Sequence, residues 1–429
     1  VENTYFYPSA SVAWRFTALD AFDDNSLISF GKLRFSFGQA GVQPGVYSTQ
    51  TLYRTAVFSD SWGSPIDANA YGSGTTRSAE RGNPNLKPEI TTEYEVGLDL
   101  RFLNDRIRLS ATQYFTKTRD AILNLDIAPT TGFSRQITNG AKIENYGTEL
   151  ELGATWLQSR NFTWESNFNW STNKSEVTDL LGVDNVDFGG FGVTNRAIEG
   201  EPFGVLFGPV FERDQNDNYV LNSNGFPVTS ASSEIVGDPN PDWRAGISNT
   251  FSYKNFSLNV LLDINQGGDV WNGTRGVMLM FGTHGSQDWE TTAPQDLVNY
   301  SGDIIPEGTT FRGYVEDFGA GPVAIDETWY RIGPGSGFTG PDGQFVEDGG
   351  FVRLREVSLR YSLNSNNFRT FTGLRSLELS VSANNLFLWT DYSGIDPETN
   401  LYGPTNLEGI DYFNNPGIRS WSFSLLINY

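Results

Sequence analysis

The sequence predicts an all-β protein built as the wall of a transmembrane antiparallel β-barrel. Three observations predict this class: apolar side chains recur at every second position in eleven segments, short and long connections alternate between them, and no run of eighteen apolar residues occurs in the 429-residue chain. Side chains alternate between the two faces of a strand, so each segment forms a strand with one apolar face. The missing apolar run excludes a bundle of transmembrane helices, whereas barrel strands are half polar.

The last strand, 418–429, shows the alternation most clearly, because serines and Asn428 occupy one face, with Leu426 as the one apolar exception. About eleven residues is the length that a tilted strand needs to cross a bilayer. Its closing residues, Phe423, Ile427 and Tyr429, resemble the C-terminal assembly signal of outer-membrane barrels. An edge strand of a soluble β-sandwich would alternate in the same way. The apolar face consists of Trp421, Phe423, Leu425, Ile427 and Tyr429.

Ten further strands are predicted upstream by the same test. Their apolar face carries no charge, and its polar exceptions Gln113, Ser166 and Asn249 are neutral. A charge on a lipid face near the midplane costs about 2–4 kcal/mol, but a sandwich core excludes charge too. Alternation alone therefore leaves both folds open. In chain order these strands are 12–18, 33–37, 94–102, 107–115, 150–156, 162–170, 245–253, 256–264, 357–363 and 377–383.

Connection lengths favour the barrel. Short turns at one rim and long loops at the other are typical of outer-membrane barrels, in which the short turns are periplasmic. Loops this long are uncommon in compact soluble domains. The short connections are 103–106, 157–161, 254–255 and 364–374. The long ones are 39–91, 118–144, 173–242, 267–350 and 386–416.

The long loops carry most of the net charge of −22. Residues 267–350 hold thirteen acidic and three basic residues, and 173–242 hold twelve and three. This distribution predicts an acidic outer surface. Because nucleic acid is itself a polyanion, we expect no nucleic-acid partner.

Catalytic and metal chemistry find little support in the sequence. His284 is the only histidine and the chain has no cysteine, so catalytic triads and histidine-built metal sites are not expected. We predict no enzyme activity and no cofactor. The segment 214–218 has the composition of a calcium loop, but Tyr219 stands where the turn glycine belongs and Gly225 where the bidentate glutamate belongs, so we interpret it as a solvated acidic turn.

Carboxylates on the polar face of the strands are interpreted as hydrated wall residues of the barrel lumen and not as acid/base pairs. We expect basic residues on the same face to balance their charge. The carboxylates are Glu149, Glu151, Glu165 and Glu378, and the expected partners are Arg15, Arg34 and Arg360.

Five aromatic residues in the polar loops are candidates for contact with a substrate. Aromatic rings stack on sugar rings or peptide groups when exposed, and otherwise pack within the loops. Both interpretations stay open from the sequence. The five residues are Trp271, Trp289, Trp329, Tyr330 and Tyr402.

Several motifs, taken together and in this order, resemble the barrel of SusC-like (SusC/RagA) TonB-dependent transporters. The resemblance runs from about Tyr5 to Tyr429. The motifs are Asn83-Pro-Asn-Leu-Lys-Pro-Glu89, Asn145-Tyr-Gly-Thr-Glu-Leu-Glu151, Gly267-Gly-Asp-Val-Trp-Asn272, Phe351-Val-Arg-Leu-Arg-Glu-Val-Ser-Leu359, and Ala383-Asn-Asn-Leu-Phe-Leu-Trp-Thr390 followed by Asp396-Pro-Glu398.

The resemblance implies a 22-stranded outer-membrane barrel with an N-terminal plug, which imports glycans or oligopeptides with energy from the TonB complex. It also implies a SusD-like surface lipoprotein as partner, besides outer-membrane lipid and the remainder of the barrel and plug. We expect residues 1–429 to be the C-terminal half of the barrel, without plug, TonB box or signal peptide. In an antiparallel sheet of eleven strands the first and last strands run in the same direction. They therefore cannot pair with each other to close a barrel. A passive or structural surface-binding barrel without TonB coupling is the alternative.

Overall fold

The computed structural model describes residues 4–22, 27–57, 66, 72 and 74–429. Eleven long strands form one antiparallel sheet in strict sequence order, β1 to β11. The all-β fold and each of the eleven predicted strands are confirmed. The strands are β1 (Ser9–Trp14), β2 (Ile28–Val42), β3 (Glu89–Phe102), β4 (Ile107–Asp126), β5 (Arg135–Gln158), β6 (Phe162–Asp179), β7 (Trp243–Tyr253), β8 (Phe256–Gln266), β9 (Phe351–Leu363), β10 (Ser376–Thr390) and β11 (Ser420–Asn428).

The two faces of the sheet meet different surroundings, as the alternation predicts. Large apolar side chains of the predicted outer register are exposed, for example Trp14, Trp421 and Phe423. The opposite face carries ion pairs between neighbouring strands, such as Lys32 with Asp99 at 2.7 Å. An apolar face exposed over the whole sheet belongs to a wall that contacts lipid, because a sandwich would cover that face with a second sheet.

The polar exceptions on the outer face satisfy one another's hydrogen bonds. Gln113 Nε2 donates to the Gly147 carbonyl at 2.8 Å and its Oε1 accepts from Thr148 at 2.6 Å. Asn249 Oδ1 accepts from Ser166 at 2.5 Å and from the Trp164 indole at 3.1 Å. Unpaired polar groups in hydrocarbon cost several kcal/mol each, so this pairing explains why these neutral residues are tolerated there.

The first predicted strand, 12–18, ends earlier than expected. β1 stops at Trp14, and Phe16–Ala18 forms a 3-10 turn. The Phe16 ring lies across Gly31, where an added Cβ would approach the ring to 2.1 Å, and the Thr17 hydroxyl accepts from the Gly31 amide at 3.0 Å. Gly31 pairs with Leu100 in the outer register, and the Phe16 and Trp14 ring centroids are 6.1 Å apart. Only a glycine at position 31 leaves space for this ring, so Phe16 stays on the outer face although the strand has ended.

The prediction of a long loop at 118–144 is wrong. β4 and β5 continue past the apolar register and leave only 127–134 as the connection. The extension packs on a small core of its own, so its side chains no longer separate into a lipid face and a lumen face. The period-two signal disappears for that reason. The core consists of Ala121, Leu123, Ala141, Val177, Leu180, Val186 and Ala197.

The other connections follow the predicted alternation of short and long, and 39–91 lies partly outside the described residues. In the described part, no helix is long and apolar enough to cross a membrane. The helices are α1 (Gly273–Phe281), α2 (Glu327–Arg331) and α3 (Asn366–Thr372), with 3-10 turns at Phe16–Ala18, Asp20–Phe22, Pro129–Thr131, Gly285–Gln287 and Asp342–Phe345.

The long connections at the outer rim contain short strands of their own. Those of 180–242 form a four-stranded sheet, and Glu80–Arg81 pairs in parallel with β5. The short strands are Tyr53–Thr55, Thr75–Arg77, Glu80–Arg81, Asn185–Phe191, Val193–Ile198, Val205–Phe211, Thr229–Gly237, Asp269–Asn272, Glu290–Thr292, Leu297–Val298, Ile304–Ile305, Thr310–Arg312, Tyr314–Asp317, Pro322–Ile325, Val346–Asp348 and Ile410–Asp411.

The topology predicts where a protease cuts on intact cells. Cleavage is expected within 173–242 or 267–350, which lie at the rim of long connections, and not at the turn 157–161 at the opposite rim. Mass spectrometry of the fragments released from the cells would locate the sites. Cuts confined to the short turns would reverse the orientation.

Candidate functional site in the outer loops

Three of the outer connections, 180–242, 267–350 and 391–419, fold together around one hydrophobic core. We call these three segments the outer-loop body. The buried residues of this core come from all three segments. The core residues are Val193, Leu206, Phe226, Trp271, Leu279, Val323, Ile325, Trp329, Tyr330, Phe345 and Ile410.

The motif 267–272 lies at the centre of this body. Strand Asp269–Asn272 pairs antiparallel with Val346–Asp348 and parallel with Ile410–Asp411. The Trp271 side chain is 2% exposed, and its indole donates to the Asp342 carbonyl at 3.2 Å. Asn272 caps α1 by accepting from the Arg275 amide at 3.0 Å. The motif therefore joins two of the three loops and starts the first helix.

A network of ion pairs ties the outer-loop body to the lumen wall. Arg353 on β9 forms a bidentate pair with Asp396, at 2.5 and 3.1 Å, and a third contact with Glu398 at 3.0 Å. Arg355 bridges Glu398 at 2.7 Å and Asp263 on β8 at 2.5 Å. The Arg353 and Asp396 side chains are 5% and 8% exposed. The structure thus joins the two motifs at 351–359 and 396–398.

In two further motifs, the local geometry explains why a particular residue is present, namely Gly147 and Asn385. An added Cβ on Gly147 would lie 2.1 Å from the Thr172 carbonyl oxygen and 2.4 Å from the Tyr114 hydroxyl, so the Tyr114 ring crosses β5 only at a glycine. Asn385 adopts a left-handed conformation at φ 54° in a bulge of β10. This conformation favours asparagine, and its side chain donates to the Ile418 carbonyl at 3.1 Å.

A cavity of about 490 Å³ opens in the 267–350 loop between α1 and α2. It brings together Trp289, Trp329 and Tyr330, three of the five predicted contact residues. A neighbouring cavity of about 570 Å³ shares Ser286, Tyr314 and Tyr330 with it. The first cavity is lined by Arg275, Leu279, Ser286, Trp289, Tyr314, Trp329, Tyr330, Gly335, Gln344 and Phe345.

The five predicted aromatic residues occupy different environments. Trp289 is 65% exposed, whereas Trp329 and Tyr330 line the cavity as buried side chains, 6% and 9% exposed. Trp271 stacks on Tyr412 with ring centroids 6.1 Å apart, and Tyr402 packs against the loop core. Substrate contact by any of the five stays a prediction, but the cavity favours Trp289, Trp329 and Tyr330.

Sequence reasoning missed the polar residues of this site, among them Arg275, Ser286, Tyr314 and Gln344. No periodic pattern marks them, because they come from one helix, two 3-10 turns and a strand that only the fold brings together. The tight fit of Trp329 against Gly335 is also invisible in the sequence: an added Cβ there would lie 2.3 Å from the indole nitrogen.

Arg275 is the charged residue in the wall of the first cavity, whereas Asp288, Arg312, Asp326 and Glu327 are charged residues in the wall of the second. Burial, with a smaller contribution from Arg275, lowers the pKa of His284. Its Nδ1 accepts from the Ser286 amide at 3.2 Å, so the proton of the neutral ring sits on Nε2. Burial raises the pKa of the Tyr314 and Tyr330 hydroxyls. Arg275 is paired with Glu347 at 3.0 Å.

Two acidic groups in the outer-loop body hold their protons more tightly than usual. Burial raises the pKa of Asp342 to about 6. Burial also raises the pKa of Asp411, against the opposing effect of the Tyr392 hydroxyl, which donates to Asp411 at 2.7 Å. These carboxyls belong to the packing of the body and not to the cavity wall.

In the acidic turn at 214–218, the Asp214 carboxylate accepts hydrogen bonds from the turn's own backbone. Asp214 Oδ1 accepts from the amides of Asn216 and Asn218 at 2.8 and 3.0 Å, and these backbone bonds lower the pKa of Asp214. Across the described ranges no group of three or more His, Cys, Asp or Glu is arranged to hold a metal ion.

The lumen carboxylates pair only in part as expected. Glu378 pairs with Arg360 at 3.1 Å. The expectation for Arg34 is wrong, because its guanidinium pairs with Asp99 at 3.1 Å and not with a glutamate. Glu149 and Glu151 line a cavity on the lumen wall with Arg244 and Arg355.

Comparison with known proteins identifies the family to which this chain belongs. The sequence profile of the family "TonB dependent receptor-like, beta-barrel" matches residues 1–386. TonB-dependent receptor P3 of Formosa agariphila is 29% identical over 459 residues, which cover 100% of this chain and 42% of that protein. TonB-dependent receptor SusC of Bacteroides thetaiotaomicron is 25% identical over 444 residues, covering 98% and 39%.

Among solved structures, the RagAB peptide importer in its "closed-closed" state superposes with a TM-score of 0.70 at 18% identity. The match covers 99% of this chain and 43% of the neighbour. At this sequence identity the match shows only that the two proteins share a fold. The chain thus spans 39% to 42% of the length of the two curated relatives. From its profile match, its relatives and its fold, the chain belongs to the TonB-dependent receptor-like β-barrel family and is a SusC-like protein of the Gram-negative outer membrane.

Proposed function

We propose that the full-length protein imports glycans or oligopeptides actively across the outer membrane, as the SusC-like component of a complex with a SusD-like surface lipoprotein. The family is one of receptors and transporters and not of enzymes. The observation that carries the proposal is the outer-loop body, which has a core of its own and is attached to the lumen wall by buried ion pairs. Such a body presents a preformed surface to a substrate and connects it to the lumen.

In this proposal residues 1–429 are one domain, the C-terminal half of a 22-stranded barrel. In the described part, β1 pairs only with β2 and β11 only with β10. An unpaired strand edge in hydrocarbon leaves backbone groups unsatisfied, which supports further strands on both edges. The plug and the TonB-binding segment would belong to the part of the relatives that this chain does not match.

The proposal assigns roles to two sets of residues. Trp289, Trp329 and Tyr330 are the preferred substrate contacts, with Trp271 and Tyr402 behind them in the loop core. Phe423, Ile427 and Tyr429 form the assembly signal. All three lie exposed on the last strand or at its end, where an assembly factor would reach them before the barrel closes.

Energised uptake separates import from the alternative of a passive or structural surface barrel. A deletion strain complemented with the full-length gene should accumulate a labelled glycan or peptide, and accumulation should cease when TonB is removed. Binding to the cell surface without TonB-dependent accumulation would establish the passive alternative. Copurification of a surface lipoprotein with the tagged protein tests the partner separately.

A further inference from the structure

We propose that the rim of short turns binds the anionic headgroups of glycerophospholipids in the periplasmic leaflet of the outer membrane. The proposal concerns the lipid around the barrel and does not depend on the import function proposed above. It is carried by the charge of the turns, by the lack of carboxylate partners for their basic side chains in the described part of the chain, and by an aromatic belt beside them on the outer face.

Four turns of the short rim, between β3 and β10, are basic, although the whole chain has a net charge of −22. They hold five basic residues and one acidic residue, whereas the 267–350 loop at the opposite rim holds three basic and thirteen acidic residues. The charge of this protein is therefore divided between its two rims. The turns are 103–106, 159–161, 254–255 and 364–375, and their basic residues are Arg106, Arg160, Lys254, Arg369 and Arg375.

The five basic side chains of the turns are exposed, and within the described part of the chain none of them forms an ion pair. The one carboxylate of the turns, Asp105, pairs with Arg101 on β3 at 3.4 Å. Arg106 donates to the backbone carbonyls of Thr155 and Trp156 at 3.2 and 2.9 Å, which leaves its charge without a counterion. The positive charge of the rim is thus available to an anion from outside the chain.

Backbone hydrogen bonds hold neighbouring turns of the rim together. The Lys254 amide donates to the Asn161 carbonyl at 2.8 Å, and the Ser362 amide donates to the Asn255 carbonyl at 2.9 Å. The strands that carry the turns are also neighbours in the sheet. The basic side chains therefore form one row along the rim and not a set of isolated charges.

An aromatic belt lies beside this row on the outer face of the sheet. Register pairing aligns one ring from each of β6, β7, β8 and β9, and the turn 254–255 directly joins two of these ring-bearing residues. Aromatic belts lie at the headgroup level of a bilayer, so the adjoining turns lie at the level of the lipid phosphates. The four rings are Phe162, Tyr253, Phe256 and Tyr361.

Two details favour a lipid headgroup over a soluble anion. The Lys254 ammonium lies 5.2 Å from the centroid of the Tyr253 ring, and this ring belongs to the outer face, so the charge lies on the lipid side of the rim. In α3, Phe371 is 92% exposed and follows Arg369 by two residues. Helices at a bilayer surface bury such rings at the acyl boundary and keep their cations at the headgroups, whereas a soluble anion leaves the exposed ring unexplained.

The net charge of the headgroup decides which lipid fits the row. Phosphatidylglycerol has a phosphate and no cation, whereas phosphatidylcholine carries an ammonium group that balances its own phosphate. Basic residues beside a membrane attract anionic lipids for this reason. The row of unpaired cations therefore favours phosphatidylglycerol and other anionic glycerophospholipids.

Native mass spectrometry of the purified full-length protein in detergent tests the proposal. The probes are dioleoylphosphatidylglycerol and dioleoylphosphatidylcholine, with inorganic phosphate as a competitor. Phosphatidylglycerol should be retained in preference to phosphatidylcholine. Arg160→Gln and Lys254→Gln should each weaken its binding about fivefold, which corresponds to about 1 kcal/mol. The matched control is Lys174→Gln, an exposed cation towards the opposite rim on β6, in register with Tyr146, and it should leave binding unchanged.

Equal amounts of heat-modifiable barrel in all variants would show that a loss of lipid is not a loss of folding. Equal retention of the two lipids, or binding of phosphatidylglycerol that both rim variants leave intact, would overturn the proposal. Complete displacement of the lipid by excess inorganic phosphate would overturn it too, because the row would then hold a free anion. Capture of an acidic periplasmic protein that both rim variants abolish, with no preference between the lipids, would assign this surface to a protein partner instead.

Discussion

Replacing Arg353 with alanine is expected to loosen the outer-loop body from the barrel wall. The substitution leaves the buried carboxylate of Asp396 without its bidentate partner. Breaking a buried ion pair by removing one partner costs about 3–5 kcal/mol, because the remaining charge stays desolvated. Protease added to intact cells should then cut within 391–419 at concentrations that spare the parent protein.

The matched control is Arg360→Ala on the same strand. Arg360 pairs with Glu378 on the same face, but its side chain is 58% exposed, and exposed pairs contribute about 0–1 kcal/mol. Its cleavage pattern should equal that of the parent. If Arg353→Ala and Arg360→Ala behave alike, the network does not hold the loops. Asp396→Asn is a second probe, because it removes the charge and keeps the shape.

A charge placed on the outer face is expected to reduce the amount of assembled barrel. Leu98 and Val260 lie in the apolar register, opposite Leu33 and Val357, and arginine at the bilayer midplane costs about 2–4 kcal/mol there. Heat-modifiable barrel in outer-membrane fractions should fall for Leu98→Arg and for Val260→Arg. Semi-native gel electrophoresis of the full-length protein measures the effect.

Glu95→Gln serves as the control on the opposite face. Glu95 accepts from the Ser36 hydroxyl at 2.6 Å, and glutamine keeps an oxygen for that bond while removing a charge from a hydrated surface. Its barrel should assemble at parent levels. Equal amounts of barrel from all three variants would contradict the assignment of the two faces.

The sequence by itself was enough to predict the membrane-spanning strands of this protein and the two faces of their sheet. Each strand that crosses the membrane separates two solvents, so selection against charge on one face leaves a period of two that can be read directly. The alternating connection lengths then set the orientation. Where the strands leave the bilayer this constraint ends, which is why β4 and β5 continue through a segment predicted to be a loop.

Only the tertiary structure decided the arrangement of the loops and of the candidate site. The motifs at 267–272, 351–359 and 396–398 were recognisable in the sequence. Only the structure shows that Arg353 on the lumen wall pairs with Asp396 in the outer loops and so attaches the loops to the barrel. Trp271 and Trp289 look alike in the sequence, yet one is buried in the core and the other lies open at a cavity. Irregular loops bury side chains through contacts distant in the chain, and such contacts leave no periodic signal from which burial is predicted.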